Sequence, residues 1–360
     1  MNISVILGTR PEIIKLAPLL RELQEKQVDF FVLHTGQHYS RQLDKVFFDQ
    51  LELPRPRYNI GVGSGSHAEE TGKMLIGIEK ILLEEKPDVV LVEGDTNSVL
   101  AGALAASKLG IKVGHVEAGL RSYDRSMPEE TNRVLTDRLS DYLFAPTPKA
   151  KQRLLGEGIG EEKIFVTGNT IVDAVYQNLM IAREHSDVLE TLHINPGKYF
   201  LVTIHRQENV DNQSRFTSIL EGLDKVTADF NLPTVYPIHP HSWKRMSEFN
   251  LAAPNLTLIE PLDYFSFLQL ESNARLILTD SGGVQEEACI LKVPCVTLRD
   301  NTERPETIEA GANILAGASV ERILECVRLM LNKNNDWQNP FGDGKSGHRI
   351  VSIITGEFNG

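Results

Sequence analysis

Short apolar runs alternate with longer amphipathic stretches along almost the whole chain. The short runs have the length and composition of buried β-strands, and the stretches between them have the three-to-four-residue spacing of helices. Stretches such as "HAEETGKMLIGIEKILLEE" and "SVLAGALAASKLG" are predicted to be helices. The predicted strands are Ile3–Leu7, Phe30–Thr35, Val89–Val92, Val113–Glu117, Tyr142–Pro146 and Ile164–Thr167, then Tyr199–His205, Thr234–Ile238, Leu256–Glu260, Leu276–Thr279, Cys295–Leu298 and Asn313–Leu315.

This alternation predicts an α/β fold with parallel sheets covered by helices on both faces. Six strands in each half indicate two Rossmann-like domains facing a cleft. We place the first domain at residues 1–168 and the second at 169–345. A Pro/Gly/Asn-rich patch then leads into a short apolar helix at about 346–360, which we expect to pack back on the first domain.

Composition narrows the class of protein. The 360 residues are 41% hydrophobic and 24% charged, which is typical of a globular protein. A net charge of -12 argues against a nucleic-acid surface. The N-terminal stretch has no basic leader or long apolar run, so we expect neither secretion nor a membrane partner. The three cysteines fit no zinc or disulfide pattern, which favours a cytoplasmic location, and we expect no bound metal.

Ligands of open parallel sheets bind beyond the carboxyl ends of the strands. After the first strand, Arg10 and Lys15 lie near a predicted helix N-terminus, where a bound anion would offset two cations; alternatively, both extend into solvent. Asp95 follows the third strand and is either a helix N-cap, or a neighbour of the cap, or a functional carboxylate. Glu117 ends the fourth strand among small residues and needs a partner or a role.

Two further first-half candidates lie on a predicted helix. Glu129 and Arg133 are four residues apart and share one face, so they either act in a site or form a simple ion pair.

The second half offers a histidine and an anion-binding turn. His205 follows an apolar strand, which is a favoured position for a functional histidine. In "LTDSGGVQEEA", a strand is followed by Ser281, Gly282 and Gly283, and we expect a helix to open on Val284. Paired glycines at this point indicate either a tight turn or a helix start where a phosphate group can approach the backbone.

Two more residues extend this predicted phosphate site. Glu287 lies about one turn into the predicted helix, where it suits a sugar hydroxyl. Arg304 stands at another predicted helix start, with Pro305 in its first turn.

Taken in order, these segments resemble the non-hydrolysing UDP-N-acetylglucosamine 2-epimerases, and the similarity covers essentially the whole chain. The resemblance implies the two-domain glycosyltransferase-B fold, a homodimer, and no cofactor. The matching segments are "GTRPEIIKLAPLL", "GDTNSVLAGALAA", "HVEAGLRS", "PEETNR", "HRQEN", "DSGGVQEEA" and "RDNTERPE".

The resemblance also implies roles for individual residues. Gln37 and His239 match parts of an allosteric substrate site found in relatives, but neighbouring segments differ. Phe267 would lie against uracil, although a core aromatic is the commoner use of such a residue, and Leu262 stands where relatives often have glutamine. The implied catalytic residues are Asp95, Glu117, Glu129 and His205, with Arg133 in support, and the implied UDP-binding residues are Arg10, Lys15, Leu262, Phe267, Ser281, Gly282, Gly283, Glu287 and Arg304.

The chemistry of the sugar restricts the mechanism. The C2 proton is not adjacent to a carbonyl, so an enzyme must oxidise the sugar transiently or expel the group on C1. No predicted strand leads into a G-x-G-x-x-G nicotinamide motif, because "GVGSGSH" has the wrong spacing and follows no clear strand. Elimination and re-addition of UDP is left, with cations and helix N–H groups stabilising the departing diphosphate. Epimerisation of UDP-GlcNAc to UDP-ManNAc, for surface polysaccharide synthesis, is the predicted function.

Three alternatives remain open from the sequence. A glycosyltransferase on the same fold would also release UDP but would need an acceptor. A non-catalytic UDP-sugar sensor would not need Asp95, Glu117, Glu129 and His205. Within the epimerases, a modified sugar such as a 2,3-diacetamido uronate would serve as substrate equally well.

Overall fold

The computed structural model describes residues 1–36, 47–125 and 127–357. The chain divides into two compact units, Met1–Gln177 with Phe341–Gly360, and Asn178–Pro340. We call them the first and the second unit. The domain boundaries predicted at 168/169 and 345/346 lie close to these divisions and remain a prediction.

The first unit contains a parallel sheet of seven strands in the order β3-β2-β1-β4-β5-β6-β7. The chain builds the sheet outward in one direction from β1 and then outward in the other from β4. The strands are β1 (Asn2–Leu7), β2 (Asp29–His34), β3 (Tyr58–Asn59), β4 (Val89–Glu93), β5 (Lys112–Val116), β6 (Tyr142–Ala145) and β7 (Ile164–Val166).

The second unit repeats this topology with six parallel strands in the order β10-β9-β8-β11-β12-β13. Its strands are β8 (Phe200–Thr203), β9 (Thr234–Pro237), β10 (Leu256–Ile259), β11 (Leu276–Thr279), β12 (Cys295–Thr297) and β13 (Asn313–Leu315).

Helices connect the consecutive strands from β3 onward and β1 to β2, as parallel pairing requires. None of those in the described part of the chain is long and apolar enough to cross a membrane. The helices are α1 (Arg10–Glu25), α2 (His67–Glu85), α3 (Asn97–Lys108), α4 (Pro128–Leu139), α5 (Pro148–Gly156), α6 (Thr170–His185), α7 (Val188–Thr191), α8 (Gln207–Val210), α9 (Gln213–Phe230), α10 (Pro240–Glu248), α11 (Tyr264–Asn273), α12 (Gly282–Ile290), α13 (Pro305–Glu309), α14 (Val320–Leu331) and α15 (Ser346–Thr355).

Both faces of the second sheet are buried. Along β8, Phe200 and Val202 belong to one apolar cluster, whereas Leu201 belongs to another on the opposite face. Successive side chains of a strand point to opposite faces, so a strand covered on both sides reads as a continuous apolar run. The predicted fold class, two parallel-sheet α/β domains, is therefore confirmed.

Several details of the prediction are wrong. The first half has seven strands and not six, because the two-residue edge strand β3 carries almost no hydrophobic signal. The stretch "GVGSGSH" therefore does follow a strand, because it begins at Gly61, two residues after Asn59. Strand β5 ends at Val116, which leaves Glu117 in the following turn, and β8 ends at Thr203, two residues before His205.

The C-terminal helix α15 packs on α1 within the first unit. The backbone of Gly347 lies so close to Pro18, a proline inside α1, that a Cβ atom there would be 3.1 Å from the Pro18 carbonyl carbon. The Gly347 N–H donates to the buried Asp173 carboxylate at 2.9 Å. Ser352 accepts a hydrogen bond from Lys26 at the other end of the helix. These contacts tie residues distant in sequence into one compact unit.

Candidate functional site

In each sheet, the candidate residues follow the two neighbouring strands at which the strand order reverses its direction. In the first unit, β1 and β4 are neighbours although they are not consecutive, and β8 and β11 have the same relationship in the second unit. The loops after two such strands diverge to opposite faces of the sheet and leave a crevice, where α/β proteins bind ligands. Arg10 and Asp95 lie just beyond β1 and β4, and His205 and Ser281 lie just beyond β8 and β11.

Lys15 is surrounded by carboxyl groups in the first unit. Its ammonium lies 3.1 Å from Glu93 Oε1 and forms a short ion pair with Glu117. The Lys15 side chain is only 15% exposed, so the alternative that it extends into solvent is wrong. Asn169 also donates to Glu117, at 3.3 Å. The strand-end glutamate thus has the partners that its burial requires.

Glu93 is a site residue that the sequence did not reveal. It ends β4 as part of an apolar run and is 1% exposed. Burial raises its pKa well above the ordinary carboxyl value; Lys15 opposes the shift, and Glu117 and Glu12 add to it. A lone glutamate at the end of a buried strand was the only available signal.

Glu12 holds the turn between β1 and α1. Its Oε2 atom accepts hydrogen bonds from the N–H groups of Gly8 and Thr9 at 2.7 and 2.8 Å, and its Oε1 atom accepts from Thr96 at 2.5 Å. Burial raises the Glu12 pKa despite these bonds. The carboxyl group thereby links the turn after β1 to the turn after β4.

Asp95 forms an ion pair with Arg133. Arg133 Nη2 lies 2.5 Å from Asp95 Oδ2, and Arg133 Nη1 lies 3.0 Å from Glu130 Oε2. Thr96 is the N-cap of α3 and Asp95 directly precedes it, so Asp95 is a neighbour of the cap and not the cap itself. No ion pair joins Arg133 to Glu129 within the described ranges, although both lie on α4 as predicted. Glu129 is half-buried in the first turn of that helix.

Arg10 is the first residue of α1, as expected. Its guanidinium lies over the ring of Phe47, 5.7 Å from the ring centroid. Gln37, the position with a possible allosteric role, falls outside the described residues.

The paired glycines Gly282 and Gly283 lie in the first turn of α12. The helix begins at Gly282 with Ser281 as its N-cap, so the predicted start at Val284 is two residues late. Gly283 is exposed, and a Cβ atom there would meet only Ser281 Oγ, at 3.9 Å. A Cβ atom on Gly282 would instead lie 2.4 Å from Glu303 Oε1. The helix start at Gly283 is therefore open to an approaching group.

His205 is supported by a buried aspartate. Asp280 is 0% exposed and accepts from the backbone N–H groups of His205 and Arg206 and from Asn209 Nδ2, at 3.0 to 3.2 Å. The His205 ring Nδ1 lies 3.3 Å from Asp280 Oδ1, while the histidine side chain is 44% exposed. Burial alone would raise the Asp280 pKa, but the hydrogen bonds from His205, Asn209 and Arg206 hold it below its usual value. Sequence reasoning missed Asp280, although it precedes Ser281 directly.

Two glutamates of α12, Glu286 and Glu287, each pair with another side chain. Arg304, the N-cap of α13, places Nε 2.8 Å from Oε1 of the buried Glu286. Glu287 is partly exposed beside the fully buried Glu271 of α11. Burial raises the pKa of Glu271 well above its ordinary value, and Glu287 raises it further. Arg304 and Glu287 are thus both anchored by buried carboxyl groups.

The residues matched to uracil contact lie at the edge of the second core. Phe267 and Leu262 are partly buried against the apolar cluster around Leu201. Phe267 therefore packs as a core aromatic, and its side chain is only partly buried.

His239 is the N-cap of α10 and its ring lies 6.1 Å from that of His205. Burial, with His205 and His241 nearby, lowers the His239 pKa. Over the described ranges, no group of three or more His, Cys, Asp or Glu residues is placed to hold a metal ion.

Comparison with known proteins identifies the family. The family described as UDP-N-acetylglucosamine 2-epimerase matches residues 21–355. A UDP-N-acetylglucosamine 2-epimerase of Methanocaldococcus jannaschii is 60% identical over 99% of both chains. Its crystal structure in complex with UDP-GlcNAc and UDP superposes with a TM-score of 0.87.

More distant relatives agree on fold and family. The UDP-GlcNAc 2-epimerase of Neisseria meningitidis, bound to UDP-GlcNAc, is 34% identical, with a TM-score of 0.88 and coverage of 99% of this chain and 100% of the other. A UDP-2,3-diacetamido-2,3-dideoxy-D-glucuronate 2-epimerase of Pseudomonas aeruginosa is 40% identical over 98% of this chain and 99% of its own. The fold is of the glycosyltransferase-B type, and the chain belongs to the UDP-N-acetylglucosamine 2-epimerase family.

Proposed function

We propose that this chain interconverts UDP-GlcNAc and UDP-ManNAc by eliminating UDP from C1 and adding it back. The observation that carries the proposal is the open helix start at Gly283 of the second unit, and the paired ionisable side chains that follow β4 and β5 within the first unit support it. The 60% identical relative, whose crystal structure contains UDP-GlcNAc and UDP, supports the choice of substrate.

UDP is held by the second unit in this proposal. Backbone N–H groups at a helix start bind phosphate oxygens well, and the absence of a side chain at Gly283 permits close approach. Arg304 adds a positive charge, and Glu287 accepts from a ribose hydroxyl. Phe267 and Leu262 lie against the uracil. The family resemblance assigns Arg10 and Lys15 to UDP as well, and positive charges of this kind help a diphosphate leave.

The reaction is a balanced proton transfer and elimination. A base removes the proton from C2, the C–H electron pair forms the C1–C2 double bond, and the C1–O bond breaks with its electrons passing to UDP. The intermediate resembles 2-acetamidoglucal. A proton then returns to C2 on the opposite face, and UDP adds back to C1. The two faces need two proton carriers, and we propose that these come from the set that the family resemblance implies, Asp95, Glu117, Glu129 and His205.

Pairing within the first unit supports two of these roles. Arg133 holds the Asp95 carboxyl group in one orientation through an ion pair of 2.5 Å. Lys15 holds Glu117 in the same way. The proposal needs no added cofactor. It includes a homodimer and a cytoplasmic location, where the product enters surface polysaccharide synthesis.

Turnover in deuterated water tests the proposal. UDP-GlcNAc recovered after partial conversion should carry deuterium at C2, because the proton is lost and returned in each cycle. With 18O in the C1–O–P bridge, the label should scramble among the oxygens of the β-phosphate. Retention of both the C2 proton and the bridging label during conversion would refute elimination. Turnover that starts only when an acceptor is added would favour the glycosyltransferase.

The sugar itself is tested in the same assay. The Pseudomonas aeruginosa relative acts, by its name, on a 2,3-diacetamido uronate. That relative is 40% identical to this chain, against 60% for the UDP-GlcNAc enzyme, so we expect faster exchange with UDP-GlcNAc. A higher kcat/KM for the uronate would make it the substrate in place of UDP-GlcNAc. The proposed elimination and re-addition of UDP would be unaffected.

A further inference from the structure

A histidine outside the proposed catalytic set joins the two turns that carry Asp95 and Glu117. His115 lies in β5 and is 1% exposed. Its ring Nδ1 is 2.7 Å from Asp137 Oδ1, and its ring Nε2 is 2.9 Å from the carbonyl oxygen of Gly94. Both nitrogens of this buried ring are thus within hydrogen-bond distance of an oxygen.

Asp137 is an ionised carboxylate in this arrangement. Its second oxygen accepts from the Gly119 N–H at 3.2 Å and lies 2.7 Å from Arg121 Nη2. Burial alone would raise the Asp137 pKa, but His115 and Arg121 lower it below the usual aspartate value. Asp137 therefore only accepts hydrogen bonds.

The two oxygens facing His115 determine the number of protons on its ring. A neutral imidazole has one N–H donor and one bare nitrogen that accepts. Here one nitrogen faces a carboxylate and the other a backbone carbonyl, and neither oxygen can donate. Both contacts are hydrogen bonds at the same time only if each ring nitrogen carries hydrogen, as in an imidazolium.

The groups that the ring contacts belong to the turns of the proposed site. Gly94 directly precedes Asp95 and has a φ of 85°. Gly119, which donates to Asp137, follows Glu117 by two residues, and these two residues have φ values of 81° and 70°. Glycine adopts this left-handed region without strain, whereas Glu117 is strained there and needs support from its surroundings. His115 and Asp137 provide it for both turns at once.

We propose that His115 is a positioning residue: a buried imidazolium that, with Asp137, fixes the turns of Asp95 and Glu117 relative to each other. The effect on catalysis rests on the proposed function, whereas the protonation of the ring does not. The charges alternate outward from the ring, since Arg121 pairs with Asp137 and with Glu157, which is 28% exposed. With an imidazolium at His115, the cluster of His115, Arg121, Asp137 and Glu157 is neutral as a whole, which offsets the cost of removing its charges from water.

Nuclear magnetic resonance on the unmodified chain tests the protonation directly. With 15N-labelled histidine, His115 should show two protonated ring nitrogens at neutral pH, each coupled to a slowly exchanging hydrogen. Assignment follows from the signal lost in His115→Asn. A spectrum with one bare nitrogen at His115 would overturn the proposal, whatever the activity of the enzyme. This measurement needs no variant to be active.

Kinetics test the positioning role. Removing the ring should displace both carboxylates, and a misplacement of about 1 Å costs on the order of 100-fold in rate. We expect His115→Asn and Asp137→Asn each to lower C2 deuterium exchange about 30- to 100-fold. The affinity for UDP, held mainly by the second unit, should change less than about twofold. The double variant should be little worse than either single variant, because both break one network.

Two controls separate positioning from stability. His348→Asn makes the same substitution in the same unit at an exposed histidine paired with Glu22, and it should leave exchange unchanged. Asp173→Asn weakens the docking of α15 and should lower stability while keeping the exchange rate per folded molecule. Unchanged exchange in His115→Asn, or an equal loss in Asp173→Asn, would overturn the positioning role. An unmodified chain without exchange on any UDP-sugar would instead refute the proposed function.

Discussion

Lys15 Nζ lies 3.1 Å from Oε1 of Glu93, and the same ammonium forms a short ion pair with Glu117. One positive charge thus serves two buried carboxyl groups, of which Glu93 is 1% exposed. Burial is the main reason that the pKa of Glu93 is raised well above its ordinary value, and Glu117 adds to it. Glu93 therefore keeps its proton to a higher pH than an exposed glutamate does, which leaves Lys15 available to Glu117.

Glu93 should make stability depend on pH. Because its pKa is raised on folding, the folded state binds the proton more tightly, and this contribution is complete below the unfolded value of 4.5. It is lost as the pH rises from 4.5 through the folded value. Glu93→Gln removes this dependence. The free energy of unfolding of the variant should therefore increase relative to that of the wild type as the pH rises. Urea unfolding at several pH values measures the difference.

The exposed Glu79→Gln on α2 is the matched control, and its difference from the wild type should stay within about 0.5 kcal/mol at all pH values. Parallel stability curves for Glu93→Gln and the wild type would show that Glu93 is ionised in the folded state.

Asp280 should give the opposite pH dependence. Its pKa is lowered in the fold, so its contribution is complete above the unfolded value of 3.8 and is lost as the pH falls through the folded value. Asp280→Asn turns an acceptor of several N–H groups into an amide with only one oxygen, which should cost about 2–4 kcal/mol at neutral pH. This cost should shrink on acidification.

Chemical denaturation from neutral pH to below 3.8 follows the effect. Asp229→Asn, at a surface ion pair with Arg328, is the control, and it should change stability by less than about 1 kcal/mol. If the cost of Asp280→Asn is as large below the folded value as at neutral pH, the linkage to Asp280 ionisation is wrong.

The parts of the fold that depend on local pattern could be predicted from the sequence. Strand β11 has the predicted bounds, Leu276–Thr279, because three buried apolar residues and a buried threonine stand between clear breaks. Helix α2 also matches, since Ser66 and Glu69 form a capping box that marks its start. Strand β3 was missed because two residues are too few to show a period of two.

The missed site residues share one physical cause. Glu93 and Asp280 sit inside or next to apolar strands, so their sequence context describes their burial and not their partners. The partner of Glu93 is 78 positions away in Lys15, and the partner of Asp280 is 75 positions away in His205. Such long-range pairs are formed by the order of the strands in the sheet. The residues that were found, such as Ser281 and Gly283, form a motif that is continuous in sequence.

Gly283 offers a test of the phosphate site that leaves the fold intact. A Cβ atom there meets only Ser281 Oγ at 3.9 Å, so Gly283→Leu should change the free energy of unfolding by less than about 1 kcal/mol. The same side chain would cover the open helix start. We expect UDP affinity to fall about 100-fold, which corresponds to about 2.7 kcal/mol. Calorimetric titration with UDP and urea unfolding measure the two quantities.

Gly283→Ala is the graded control, because it adds one carbon and should weaken UDP binding less than the leucine does. UDP binding within twofold of the wild type in Gly283→Leu would rule out this helix start as the phosphate site.

Gly347 tests why α15 belongs to the first unit. A Cβ atom there would lie 3.1 Å from the carbonyl carbon of Pro18 and 3.2 Å from its carbonyl oxygen. These are backbone atoms of a proline inside α1, which cannot rotate away as a flexible side chain can. Gly347→Ala should therefore cost about 1–3 kcal/mol through overpacking, despite the better helix propensity of alanine. The cost should appear first as faster hydrogen exchange in residues 346–355.

Gly72→Ala is the matched control, since it makes the same change inside α2, where a Cβ atom meets nothing within 4 Å. That variant should gain about 0.5–1 kcal/mol, because alanine loses less backbone entropy than glycine on folding. The two substitutions thus have the same helix propensity and opposite predicted signs. Equal gains in both would show that α15 has room to move away from Pro18, and that the close contact between Gly347 and Pro18 does not hold the C-terminal helix in place.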